Sequence, residues 1–414
     1  MTLVRYLSLL LPAAALLGAV RGTDRATRAG AFLAFLAAAL GVAALHELAG
    51  LGAWWGFAAV DGAYRGMPID LWLGWAALWG PIPVLLHRRL RLPVTLGVLL
   101  WIDLLAMPRL EPLLTLGPHW LRGEFLGLLA VALPAQLLGR WTAADRQLYA
   151  RVVLQMILFT GLILWLLPTA VLTLAGGAWP RLPGPALTVV AQVAAVLGLP
   201  AVAAVREFAV RGGGTPFPWD PPRRLVTTGP YAYVANPMQL SMVAELTLLA
   251  VVARSPALAA AALGAVAFSA AVAAPHERGD LGDRHGDGWL AYRHQVRDWL
   301  PRARPYRAIE PARIWLDDDC GPCAATRDLM AARTPVRLDL VPAATHPTTL
   351  WRAKYATADG YSATGVVAVA SAFDHLGIGW AYLGWFLRLP AVHQLAQLIT
   401  DAQIAPPHPA GGQR

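Results

Sequence analysis

Charge is scarce in this chain: of 414 residues only 14% are Asp, Glu, Lys or Arg, while 57% are apolar. A water-soluble domain usually carries about 25% charge, so lipid is the solvent that accounts for the deficit. Cysteine is scarcer still. Cys320 and Cys323 are the only two, which excludes a scaffold held by several disulfides. No internal repeat is visible. His276, His285 and His294 stand nine residues apart, whereas metal ligands on one helix face need spacings of about three or four, so no metal site is expected. No stretch interleaves basic and aromatic residues as a nucleic-acid surface does. The net charge of +9 is therefore ascribed to loops beside anionic headgroups, and nucleic acid is not an expected partner.

What is abundant is apolar length, with 17 Trp residues suited to membrane interfaces. Spanning helices need roughly 20 mostly apolar residues. Candidates run near 3–20, 30–50, 69–87, 92–108, 123–139, 152–174, 185–205, 237–253 and 255–275, about nine in all. The first has a signal-peptide look, with Arg5 before an apolar run, but eight more segments follow and it reads as the first membrane helix. The last two are short and joined by Ala253-Arg254-Ser255-Pro256, as in a tight helical hairpin. Basic loops at Arg21/Arg25/Arg28, Arg88/Arg89/Arg91, Arg140/Arg146/Arg151 and Arg206/Arg211/Arg223/Arg224 alternate with less basic ones. Nine spans put all four on the cytoplasmic side, with the N-terminus outside and everything after 275 inside. The expected setting is a multi-pass protein of a bacterial inner membrane.

After 275 the composition turns polar. Ile314-Trp315-Leu316 reads as a short buried strand, the CxxC follows, and a helix is expected from about 321 to 333. Residues 336–341 alternate like a second strand. The rest is expected to be mostly helical to about 403, and the Pro- and Gly-rich 404–414 to be a disordered tail. The fold class is thus an α-helical integral membrane domain of about nine spans plus a small C-terminal α/β thioredoxin-like domain. The expected divisions are 1–150, 151–310, 311–403 and the tail.

Two constellations carry chemistry. In the first, Gly229-Pro230-Tyr231 and Asn236-Pro237 punctuate a loop before a membrane helix, whose free amides suit a carboxylate. Glu277 closes the last hairpin and suits an ammonium. Trp289 and Tyr292 follow at helical spacing and suit a flat ring. Taken singly, each also fits a plain interfacial turn, a solvated helix end or an interfacial anchor. In the second, Cys320-Gly321-Pro322-Cys323 stands between a strand and a helix. That is a thioredoxin-like redox arrangement, in which the helix N-terminus stabilises a thiolate. Half of a zinc site is the competing reading, but no further Cys remains. The acids Asp317, Asp318 and Asp319 oppose thiolate formation by like-charge repulsion.

Residues 216–303 resemble the membrane-embedded isoprenylcysteine carboxyl methyltransferase and phospholipid N-methyltransferase superfamily. The residues in register are Gly229, Pro230, Tyr231, Tyr233, Asn236 and Pro237, then Glu277, Leu281, Gly286, Trp289, Tyr292, Val296, Trp299, Leu300 and Pro301. The resemblance implies S-adenosyl-L-methionine as cofactor, held by Glu277 and the 229–237 loop. It also implies a lipophilic methyl acceptor arriving from the lipid bilayer. Ala235 stands where the family usually has Arg, Gln239 where Tyr is common, and His285 where Phe is usual. Residues 314–401 resemble the DCC family of thiol–disulfide oxidoreductases through Asp317, Cys320, Cys323, Gly365 and Ala368 and the stretch 385–392. The usual Gly after the motif Asp is Asp318 here, and no cis-Pro is evident opposite the CxxC. Because the pair opens a helix after a strand and no other thiol competes, Cys320 is expected to be the exposed attacking thiolate, with a thiol or disulfide partner.

The leading expectation is a membrane methyltransferase of a lipophilic acceptor fused to a cytoplasmic redox domain. A redox protein anchored by a degenerate methyltransferase scaffold is the alternative, favoured by Ala235. A transporter is a third class, which needs ionisable groups within its spans. The few present are His46, Glu47, Asp70, Asp103, Glu124 and Glu245, the last of which also suits an acceptor site.

Overall fold

The computed structural model describes residues 1–307 and 310–410, without the side chains of 272, 273, 276 and 277. Most of the chain is helical. Among the described residues, six helices are long and apolar enough to cross a membrane: Thr2–Ala19, Arg25–Gly52, Leu92–Leu110, Trp120–Ala143, Leu148–Leu174 and Gly184–Gly212. The other three expected spans are apolar helices of lesser length, Ile69–Leu85, Pro237–Ala253 and Pro256–Ala271. Proline and glycine set their limits. The first is broken at Gly80, after which Pro81 starts a new turn. The second has 17 residues, about 26 Å of helix against a hydrocarbon core of roughly 30 Å.

The chain divides into two compact units, and neither is one continuous segment. The first holds Met1–Pro180, Gly214–Pro221 and Leu249–Leu258. Its centre is the helix Arg25–Gly52, opened by Asp24, whose carboxylate accepts the Thr27 amide at 2.7 Å. The buried face of this helix is rich in small residues, among them Ala34, Ala38 and Ala43, which allows close packing of the kind membrane bundles use. Arg151 is buried between Asp145 and Asp220, each at 2.7 Å. The loops expected between spans contain short strands. Strand β1 (Trp55–Phe57) carries the chain into a loop where β2 (Ala63–Tyr64) and β3 (Met67–Pro68) pair with each other. β1 itself pairs antiparallel with β4 (Leu114–Leu116).

The second unit holds Arg181–Gly213, Pro222–Leu248 and Ala259–Arg414. Its C-terminal part contains a four-stranded sheet of β5 (Ala312–Leu316), β6 (Leu338–Pro342), β7 (Lys354–Ala356) and β8 (Ser362–Thr364), in the order β6-β5-β7-β8. β5 and β6 run parallel through the helix Gly321–Ala331, while β7 and β8 are antiparallel additions. Ala312, Ile314 and Leu316 alternate inward from β5 onto Met330, Leu338, Tyr355, Ala368 and Phe373. The expected strands at 314–316 and 336–341 are therefore present, each displaced by one or two residues. β7 and β8 were expected to be helical. They are only three residues long, too short for a period-two pattern to register.

Of the expected tail 404–414, residues 404–410 are described and 411–414 lie outside the described residues. Residues 405–410 are held in place: Leu350 and Ala410 exchange backbone hydrogen bonds of 2.7 and 2.8 Å, and His408 bonds Asp317 at 2.5 Å. Pro and Gly disfavour helix and strand, but an extended segment can still be fixed by partners distant in sequence.

Candidate functional site

The CxxC stands where β5 ends. Cys320 is the N-cap of the helix Gly321–Ala331, and Pro322 lies in its first turn, where the missing N–H costs nothing. Cys323 follows within that turn, against Cys320. Both thiols are free. Burial, and then the contact with Cys320, push the Cys323 thiol up to about 12. Cys320 is not the exposed member of the pair, as its place at the helix start led one to expect: its exposure is 7%, and Cys323 is the more accessible. The reason is packing, since an N-cap side chain set directly after a buried strand end sits on the core.

The three acids are not a bare cluster. Asp318 is paired with Arg327 and Asp317 with His408. Asp317 also accepts the Asp319 amide at 3.1 Å. The backbone carbonyl of Pro406 and the Asp317 carboxylate raise the His408 imidazole above its ordinary value. These partners lie 9 and 91 residues from their acids, and nothing in the local sequence pointed to them.

Cys323 lines a cavity of about 440 Å³ with Pro322, Trp315, Val369, Phe373 and Leu350. Its far wall is the helix Val392–Ile399 and the tail, through Ile399, Ile404, Pro406 and His408. Gly365 forms part of this wall at φ +61, with Gln397 packed where a Cβ would stand and its side-chain oxygen accepting the Val366 amide at 2.7 Å. The glycine of the GxxA element is thus required by a left-handed conformation and a close approach.

The first constellation is drawn together within the same unit. Gly229 begins a short 3-10 turn at φ +58, and a Cβ there would meet Glu207 Cγ at 2.6 Å. Tyr231 stacks on Phe208 with ring centroids 4.9 Å apart. Tyr233 is fully buried edge-on to Trp385, and its hydroxyl donates to the Asp374 carbonyl at 3.0 Å. Pro230 is buried in the turn, and Pro237 opens the helix Pro237–Ala253. The downstream motif closes on this loop. Tyr292 donates to the Tyr231 carbonyl at 2.8 Å, the Ala235 amide to the Arg297 carbonyl at 2.9 Å, and Asn236 to Asp298 at 3.1 Å. Trp289, Tyr292 and Val296 pack against Leu225, Ala235, Leu281 and Tyr306. The helix carrying them bends at Gly286, whose φ is +50. Arg293 and Arg278 both reach Asp298, at 2.7 and 3.9 Å, so basic charge stands beside Asn236 although position 235 is Ala. The side chain of Glu277 lies outside the described residues.

A buried ionic cluster joins this loop to the CxxC part. Arg388 contacts both oxygens of Asp374 at 2.9 and 2.8 Å and Glu207 at 3.3 Å. Glu207 also accepts from the Thr228 hydroxyl at 2.7 Å. Arg211 lies 3.7 Å from Glu207 and 2.8 Å from Asp359. Sequence reading missed the cluster. Its one legible trace was an Arg beside Leu and Pro at the end of an apolar stretch.

No protein-family model matches the chain, and no curated protein or solved structure matches it either.

Proposed function

We propose that this chain is a membrane-anchored thiol–disulfide redox protein whose reacting pair is Cys320 and Cys323. The observation that carries the reading is a parallel strand–helix–strand unit whose CxxC opens the helix, the arrangement of thioredoxin-like redox sites, with a cavity beside Cys323. Cys320 caps the helix N-terminus and serves as the attacking sulfur, while Cys323 keeps its proton. In the forward step the Cys320 thiolate attacks one sulfur of a partner disulfide, and the other sulfur leaves as a thiolate. Cys323 then loses its proton and attacks Cys320. The second partner thiol departs, the partner is reduced by two electrons, and the protein holds a Cys320–Cys323 disulfide. Of the two cysteines, Cys323 lines the apolar cavity, which favours a partner with an apolar group next to its sulfur. The test is equilibration of the full-length protein in glutathione buffers, followed by thiol trapping and mass analysis. A two-electron transition confined to Cys320 and Cys323 supports the reading. A pair that stays reduced throughout, or that binds zinc stoichiometrically, overturns it.

Methyl transfer is the second reading, favoured by the convergence of Tyr231, Tyr233 and Asn236 with Trp289, Tyr292 and Asp298. S-adenosyl-L-methionine, when bound, would supply an electrophilic methyl group. The polar groups of the loop are already engaged by protein partners and its aromatic rings lie in the core. The described residues therefore do not fit the cofactor in this conformation. Calorimetric titration of the detergent-solubilised protein with S-adenosyl-L-methionine decides the matter. Binding weakened roughly ten- to a hundred-fold in Glu277→Ala, the cost of a lost charge-assisted hydrogen bond of about 1.5–3 kcal/mol, supports methyl transfer. Absence of binding leaves the scaffold as an anchor. In either case we propose that the CxxC part faces the cytoplasm, on the side of the basic loops.

A further inference from the structure

The first unit contains buried ionisable groups that neither reading uses. Glu124, near the start of Trp120–Ala143, is 1% exposed, and Asp103, in Leu92–Leu110, is equally buried. Asp103 accepts from two indoles, Trp75 at 3.1 Å and Trp79 at 2.8 Å. Its carboxyl is a hydrogen-bonding neighbour of Glu124. Two ionised carboxylates only accept, so this contact requires one proton between them. Glu124 Oε1 is buried and receives no hydrogen from the N–H and O–H donors around it.

Glu124 lines a small cavity with His46, Trp55, Phe57, Met67, Trp75 and Met107. His46 comes from the helix Arg25–Gly52, and its Nε2 lies 3.0 Å from the Arg65 carbonyl. A carbonyl only accepts, so Nε2 carries the hydrogen, and in the neutral ring Nδ1 is a bare acceptor. That Nδ1 is also buried without a partner. Two orphaned acceptors thus face one cavity of about 20 Å³, room for one water, which needs roughly 10–15 Å³. A water has two hydrogens to donate, one for each acceptor. The outer edge of the site is the loop carrying Arg65, whose guanidinium pairs with Glu47 on the exposed surface. Tyr64 belongs to the same loop. The remaining walls, Val42, Trp55, Phe57, Met67, Trp75 and Met107, bring no further charge.

We propose that Asp103 and Glu124 form a proton-binding site. They share one proton, and a single water between Glu124 Oε1 and His46 Nδ1 exchanges it with the surface beside Arg65. The balance is simple: for release, the carboxyl pair gives a proton to the water, the water gives one to His46 Nδ1, and Nε2 gives up its own toward the surface beside Arg65; uptake is the reverse, with no other bond made or broken. Ionisable groups inside a helix bundle of this kind are otherwise costly and mark ion or proton paths.

The experiment is infrared difference spectroscopy of the full-length protein in lipid nanodiscs at neutral pH, in H2O and D2O. The wild type is compared with Glu124→Gln, Asp103→Asn and His46→Phe, each checked for folding by thermal melting. The wild type should show the carbonyl stretch of a protonated carboxyl at neutral pH. Either carboxyl substitution should remove it. Transfer to D2O should shift it, severalfold more slowly in His46→Phe. No such band in the wild type, or a band that both carboxyl variants retain, overturns the proposal. So does deuterium exchange that His46→Phe leaves unchanged. A band that disappears on adding sodium or ammonium chloride at constant pH and ionic strength also overturns it, and marks a small-cation site instead.

Discussion

At the scale of single residues, the chemistry of the C-terminal part depends on which thiol keeps its proton. Cys323 is held up at about 12 by burial and by Cys320, so a small alkylating reagent at neutral pH should label Cys320 first. Peptide mapping after brief exposure to iodoacetamide checks this, and prior labelling of Cys323 contradicts it. A bulky maleimide should be far slower, because Cys320 is buried. His408 makes a second case. Its folded value is raised by Pro406 and Asp317 above the ordinary value of about 6.5. A raised folded value means the contact favours the protonated ring. Its contribution is fully present below about pH 6.5 and is lost as pH climbs through the raised value. The tail should therefore loosen as the solution becomes alkaline. Hydrogen exchange of the amides at 405–410, corrected for intrinsic rates, should quicken over that window. In His408→Ala it should be fast and indifferent to pH throughout.

At the scale of elements, three segments meet at Arg388, which follows the helix Ile378–Leu387: the helix Gly184–Glu207, the loop through Thr228 and Gly229, and the turn at Asp374. The guanidinium is buried, and so are both of its carboxylate partners. Removing one side of a buried pair leaves uncompensated charge and costs about 3–5 kcal/mol. Arg388→Ala should lower the thermal unfolding midpoint of the full-length protein and free the Tyr233 hydroxyl from the Asp374 carbonyl. Tryptophan fluorescence reads the second effect, because Trp385 lies against Tyr233 and donates to Asp374 at 3.0 Å. An Arg388→Ala protein that melts with the wild type shows that the cluster contributes no net stability. The strand–helix–strand unit was legible in the sequence because Ile314 and Leu316 alternate and Gly-Pro follows the cysteine. The ionic cluster was not, because its charges stand far apart in the chain and look locally like solvated helix ends.

At the scale of the whole molecule, the basic loops predict which side of the membrane each terminus occupies. A reporter active only in the cytoplasm, fused after Arg414, should be active; one fused before Met1 should be silent. The opposite pattern contradicts the orientation, and a matching signal at both ends points to an even number of crossings. Composition alone pointed to lipid as the solvent, because so little charge covers a soluble body of this size poorly, and apolar length located six helices long enough to cross a membrane and three shorter apolar helices among the described residues. Local sequence also determined that a strand and a helix flank the cysteines. Tertiary structure decided what depends on distance along the chain. It decided that Cys320 is covered, that His408 and Arg327 occupy the acids beside it, and that the proline-rich residues 405–410 have a fixed course. It also decided that His46 and Glu124, from separate helices, line one small cavity, with Asp103 from a third helix beside Glu124. A short-range pattern records which face of an element is apolar. It carries no record of which distant polar group will complete a buried hydrogen bond, because that choice is made only when the elements pack.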